Sequence, residues 1–293
     1  MLNLKQLLPL CGILLMLEPE AQSHIARYHN KDLESEVHTR ESFDPVTQDS
    51  FFETVRRIRS KFSPIIFDQG GDLNVIASWA SNTVNATASQ RGDNWNVTLY
   101  GGLARRPEMT QDGFMLVACH EIGHHLAGYP QFNSWGAAEG NADYFAIYGC
   151  ARGFWEDETQ INALFATVIP PFPKSICDDR FRMDSQERKD LCYREVMAAF
   201  SLAELLSYIV DEEINVDTPS EYEAPYTNLD YPTVQCRFDT LVQSALCEET
   251  ISFDVIPWTE REMAAVSCHQ SKGQTEGLRP RCWFKSRLAS FTP

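Results

Sequence analysis

Residues 120–125 read His-Glu-Ile-Gly-His-His. His120 and His124 are four positions apart, so on a helix they share one face, a turn from each other. Two imidazoles so placed can reach a single Zn²⁺ at about 2.0–2.1 Å. Glu121 follows the first histidine and can reach a water held by that metal. There it would act as general base on a nucleophile whose pKa the ion lowers toward about 7. A solvent-facing histidine pair is the alternative reading of these six residues taken alone.

A catalytic zinc needs three protein ligands and an open fourth position. Fifteen residues after His124 the chain reads Glu139-Gly-Asn-Ala-Asp143. Glu139 and Asp143 are again one helical turn apart. Glu139 can be the third ligand, and Asp143 can accept the Nδ1–H of a ligand histidine, which fixes its tautomer and raises its basicity. The reverse assignment, with Asp143 on the metal and Glu139 behind it, stays open. Gly123 and Gly140 would let two such helices approach closely. His125 and Cys119 neighbour the motif but point about 100° round the helix, so they read as supporting or core residues rather than ligands.

These motifs resemble the gluzincin metallopeptidases of the HtpX-like and CAAX prenyl protease-like group, which carry HExxH followed by ExxAD, here Glu139-x-x-Ala142-Asp143. Val84-Asn85-Ala86 and Gly101-Gly102-Leu103 are similar to the stretch that leads into that family's motif helix, and Tyr231-Pro232 with Arg237 resembles its "HP…R" element. The resemblance spans roughly residues 75–240 and is strongest over 96–150. It implies an α+β, zincin-like fold, zinc on His120, His124 and Glu139, and Glu121 as the base. Two departures matter. The family's membrane helices are missing, and Tyr231 stands where the family usually has a histidine that blocks the metal or supports the transition state. A tyrosine hydroxyl there would donate a hydrogen bond to the tetrahedral oxyanion.

The motif needs two helices joined by a short loop. Thr110 is the expected N-cap of the first, which runs to Leu126 and is stopped by Gly128, Tyr129 and Pro130. The second is expected over 137–148, closed near Gly149. Residues 51–62 have helical spacing, with Phe51, Phe52, Val55, Ile58 and Phe62 on one face. Residues 73–77 and 95–100 read as strands, the second as the sheet edge above the cleft, where an extended peptide could pair with it. The stretch 153–188, with Pro170, Pro171 and Pro173, is expected to be irregular. Residues 190–213 form the longest helical pattern.

Residues 1–23 have one lysine, an apolar run and a small-x-small end at Ala21-Gln22-Ser23, the layout of a secretory signal peptide. Of nine cysteines only Cys11 lies in it, which leaves an even eight for an exported, disulfide-bonded protein. Cys119–Cys150 would staple the two motif helices, and nearest-neighbour pairing joins Cys177–Cys192, Cys236–Cys247 and Cys268–Cys282, one choice among many. Residues 24–50 read as an extended lead-in, 51–250 as the metallopeptidase domain and 251–293 as a cysteine-containing extension. No later stretch has the apolar length of a membrane span. The net charge of −16 argues against nucleic acid as a partner. The expected function is an exported zinc metalloendopeptidase acting on peptides or unfolded protein. A catalytically silent binding or chaperone-type protein and a zinc hydrolase of another bond are the alternatives.

Overall fold

The structure, a computed structural model, describes residues 44–288. The expected signal peptide and the lead-in as far as residue 43 lie outside the described residues. The chain is α+β, mostly helical, around one small mixed sheet.

The first helix, α1 (Gln48–Asp68), begins at a capping box in which Thr47 and Ser50 exchange side-chain and backbone bonds. Phe51, Val55, Ile58, Phe62 and Ile66 form its buried stripe, while Phe52 is 38% exposed. Phe52 was expected on the same face, but it lies a third of a turn round from Phe51.

The sheet comprises β1 (Asp72–Ser78), β2 (Ala86–Arg91) and β3 (Asn94–Tyr100), in the order β1-β3-β2. β1 runs parallel to β3 with Val75 opposite Val97, and β2 runs antiparallel to it with Ala88 opposite the same residue. β3 is therefore the central strand, not the edge that the sequence suggested. A strand that sequence reading passed over, β2, pairs on its far side. β2 presents only the small residues Ala86 and Ala88 to the interior, so it lacks the branched, alternating pattern that marks a strand. The two-residue turn Gly92-Asp93 closes this hairpin, with Gly92 at φ +55.

A single turn, α2 (Gly101–Ala104), leads to α3 (Gln111–Leu126). Thr110 caps α3 as expected, its hydroxyl accepting from the Gly113 N–H at 3.0 Å. Every residue from Gly113 to Leu126 is buried, so α3 is the central helix of the molecule. α4 (Glu139–Phe145) continues through a π-helical stretch, Ala146–Ala151, into α5 (Arg152–Trp155). The chain thus stays helical past Gly149, where the sequence reading ended it. The short α6 (Thr159–Asn162) precedes α7 (Pro171–Arg180). The prolines that suggested irregular chain instead start α7, because proline at a first-turn position loses no helical hydrogen bond. α8 (Gln186–Val210) is capped by Ser185 and ends at Asp211, in the left-handed region at φ 61. After a long connector come α9 (Val234–Ala245) and α10 (Glu260–Val266).

Side chains from α1, the sheet, α3, α8 and α9 form one large core, and two smaller clusters lie under the C-terminal segment. Four disulfides join Cys119–Cys150, Cys177–Cys192, Cys236–Cys282 and Cys247–Cys268. The first two are the expected pairs. The last two correct the expected Cys236–Cys247 and Cys268–Cys282. α9 separates Cys236 from Cys247 by about 16 Å at 1.5 Å per residue, far beyond a disulfide's Cα separation. Among the described residues no helix is long and apolar enough to cross a membrane.

Candidate metal centre

The two motif helices lie side by side. An ideal Cβ built on Gly123 of α3 would sit 2.9 Å from the Ala142 carbonyl oxygen of α4, so only glycine permits this approach. Gly140 serves a different contact from the one expected. The Trp283 ring of the C-terminal segment occupies its Cβ space at 2.4 Å. The Cys119–Cys150 bridge ties α3 to the π-helical stretch after α4.

This packing brings His120, His124 and Glu139 together. Among the described residues they form a buried group whose ligand atoms all lie within 4.8 Å of one another. His120 Nε2 is 3.4 Å from Glu139 Oε2, and His124 Nε2 is 3.6 Å from Glu139 Oε1. Ligands about 2.05 Å from a tetrahedral ion stand about 3.3 Å apart, so the spacing suits such an ion.

The opposite ring nitrogens both face oxygen atoms. His120 Nδ1 lies 2.8 Å from Asp143 Oδ1, and His124 Nδ1 lies 2.8 Å from the Ala137 carbonyl oxygen. A carbonyl only accepts, so His124 must carry its proton on Nδ1 and offer the Nε2 lone pair to the shared point. Asp143 thus lies directly beside His120, a member of the candidate metal group. Its two oxygens also accept from Arg237 of α9, Nε at 2.7 Å and Nη2 at 2.8 Å. The same guanidinium comes within 3.6 Å of Glu139 Oε2.

The protein's own charges set the protonation of this cluster. Burial alone would lower the His120 pKa, but the Asp143 and Glu139 carboxylates outweigh it and raise it to about 10. Burial would raise Glu139, yet His120, His124 and Arg237 hold it below the usual carboxylate range. Arg237 and His120 do the same for Asp143 against its burial. Burial pushes Glu121 up to about 7, against the opposing pull of His120 and Arg237. A small space of about 20 Å³ opens beside His120, Glu121 and Arg237, walled by Leu202, Leu205, Leu206 and Ile209 of α8. That is room for about one water.

Tyr231 lies in the connector before α9 and is half-buried. Its phenol is held protonated by burial and by the charges of Glu139 and Glu121, with Arg237 opposing. His125 is a packing residue, as expected. Its ring is stacked between Trp95 and Trp135, with centroids 5.4 and 5.2 Å away.

Several contributors escaped the sequence reading. Asn141, between Glu139 and Asp143, donates its amide to the carbonyls of Ala127, Gly128 and Tyr129 and accepts from Arg279 Nε at 2.9 Å. It fastens the start of the α3–α4 loop to α4, and the C-terminal segment fastens Asn141. The Ala137 carbonyl left no signal in sequence, because a backbone oxygen has no side-chain identity. Arg237 entered only through the "HP…R" resemblance, which said nothing of its contact with Asp143. Comparison of the chain with protein-family models, with curated proteins and with solved structures yields no match.

Proposed function

We propose that this chain is a zinc-dependent metallopeptidase of zincin-like fold, exported to an oxidising compartment, with peptides or unfolded protein as substrate. One observation carries the reading. Two histidine Nε2 atoms and a carboxylate converge at tetrahedral spacing, while His124 Nδ1 is bonded to the Ala137 carbonyl oxygen and His120 Nδ1 lies 2.8 Å from Asp143 Oδ1. Three ligands of the N₂O type leave a fourth position for a reactant, as hydrolytic zinc sites do. The HExxH and ExxAD motifs, resembling gluzincins, supply the bond class. The four disulfides support the compartment.

An ion bound by His120, His124 and Glu139 would supply Lewis acidity, polarising a scissile carbonyl and making water acidic enough to attack near neutral pH. The chain's residues do the rest. Glu121, buried and with its pKa raised to about 7, takes the proton from the attacking water and hands it to the leaving amine nitrogen. Asp143 and Arg237 keep the His120 ring oriented. Tyr231 retains its phenolic proton and donates a hydrogen bond to the developing oxyanion. β2, an outer strand packed against α3, offers the sheet edge that an extended peptide can pair with.

The test is metal analysis of the purified protein together with casein cleavage, with and without chelator, beside Glu121→Gln. Near-stoichiometric zinc and chelator-sensitive turnover that Glu121→Gln abolishes are expected. A second reading, a catalytically silent protein stapled by its metal, is favoured by burial, since none of the residues His120, Glu121, His124 and Glu139 is more than 3% exposed. Bound metal with no turnover of any peptide, and none lost in Glu121→Gln, would select it.

A further inference from the structure

The loop between the two metal-bearing helices has a character of its own. From Ala127 to Ala138 it contains no Asp, Glu, Lys or Arg, although the site it borders is densely charged. It is also tightly built. Gln131 and Ala137 form a β-bridge, and the Phe132 N–H donates to the Gly136 carbonyl at 3.0 Å. Asn133 Oδ1 accepts from the N–H groups of Trp135 and Gly136 at 2.9 and 2.6 Å. The Ala137 N–H donates to the His124 carbonyl at 2.9 Å, which ties the loop directly to a metal-ligating residue.

What this frame presents is aromatic. The Phe132 ring stands edge-on to the His124 imidazole, 6.0 Å between centroids, and 5.8 Å from the Trp135 ring. Trp135 stacks on His125, which stacks on Trp95. Phe132 lies so close over Gly136 that a Cβ there would be 2.3 Å from its ring. Phe132 and Trp135 are only half-buried, whereas the ligands beside them are fully enclosed. They are thus the surfaces that a substrate flanking the metal would meet.

We infer that Phe132 and Trp135 form the wall of a side-chain pocket beside the metal, so that the site selects peptides with a large uncharged apolar or aromatic residue next to the cleaved bond. The inference rests on the peptidase reading and deepens it. An apolar side chain on these rings gains contact area and ring stacking. A lysine or aspartate there would be stripped of water with no partner on the loop, the arrangement by which a site rejects a substrate.

The test is made by binding, so that it does not depend on turnover. Full-length, zinc-loaded Glu121→Gln protein is titrated calorimetrically with N-acetylated, C-amidated pentapeptides that differ only at the central residue, Phe, Ala or Lys. Phe should bind about ten- to a hundred-fold more tightly than Ala, and Lys weaker still. That gap should collapse when Phe132→Ala and Trp135→Ala are added, with zinc content unchanged. Phe132→Leu, which keeps an apolar wall, should retain most of it and guards against a loop that fails to fold. Equal affinities for the three peptides, absence of binding, or a gap unaffected by loss of both rings would overturn the inference. Cleavage sites of wild-type protein on casein provide the independent arm. Cuts clustered beside Phe, Leu, Met and Tyr support the pocket, and cuts spread without regard to side chain overturn it. Absence of any cut would sink the peptidase reading, and the titration would still judge the pocket.

Discussion

Arg237 on α9 holds Asp143 on α4 through two hydrogen bonds, of 2.7 and 2.8 Å. Asp143 Oδ1 in turn faces His120 Nδ1 on α3 at 2.8 Å. The carboxylate that faces a ring of the candidate metal group is therefore gripped by a side chain ninety-four positions away from it in the chain.

Arg237→Ala should leave the Asp143 carboxylate buried with half of its support gone. The expected cost is about 3–5 kcal/mol of folding stability and a loss of metal affinity of about 10–100-fold. Urea titration and chelator competition measure the two. Arg237→Lys keeps the charge but not the fork, so it should recover stability better than affinity. Unchanged affinity in both variants would show that the chain of contacts does not reach the metal.

The three carboxylates should separate by role. Glu139→Ala is expected to lose stoichiometric metal. Asp143→Asn should still bind it, more weakly by about 10–100-fold. Glu121→Gln should bind it normally and lose turnover by about 10²–10⁴-fold. Metal content by atomic absorption and a peptide-cleavage rate give all three readings. Metal lost from Asp143→Asn and kept by Glu139→Ala would reverse the assignment of ligand and support.

Gly123→Ala sets local propensity against packing. On an isolated helix the change would stabilise by about 1 kcal/mol. Here the new methyl would lie 2.9 Å from the Ala142 carbonyl oxygen and 3.0 Å from its Cα. Both are backbone atoms and cannot rotate away. Overpacking of this kind costs about 1–3 kcal/mol, so the melting temperature should fall. A rise would mean that α3 and α4 are not in close contact.

His269 should make stability depend on pH. Its Nδ1 accepts from the Ser271 N–H at 3.1 Å, and its Nε2 is 3.6 Å from Glu260 Oε1. Burial and then the Arg279 charge lower its pKa, with Glu260 opposing and Lys272 adding to the depression. The unfolded chain takes up a proton near 6.5, where the folded protein resists it. The contribution is thus fully present above about 6.5 and is lost as pH falls through the depressed folded value. Thermal melts between pH 7.5 and 5 should drop more steeply in wild-type protein than in His269→Asn. Parallel curves would rule out the effect.

The candidate metal group was legible because it is written in local spacing. Two histidines at i and i+4, two acids at i and i+4, a threonine cap and a glycine-tyrosine-proline stop all act within one helix or its ends, and the 3.6-residue period converts spacing directly into a shared face. β2 was passed over because its inward residues are two alanines, whose burial depends on what packs over them. The prolines before α7 misled for a related reason, since proline breaks a helix in its interior but starts one at its N-terminus.

The amino-acid order by itself determined which side chains could bind a metal, which helices carry them, and that the eight cysteines after residue 23 could pair. Only the tertiary structure decided which partners those groups meet. Arg237 finds Asp143, the Ala137 carbonyl finds His124, Cys236 finds Cys282, and Trp283 settles on Gly140. Each of these contacts joins residues thirteen or more positions apart, too far for the period of a single helix to dictate that they meet. The packing of α4 between α3, α9 and the C-terminal segment brings them within hydrogen-bonding and bonding reach.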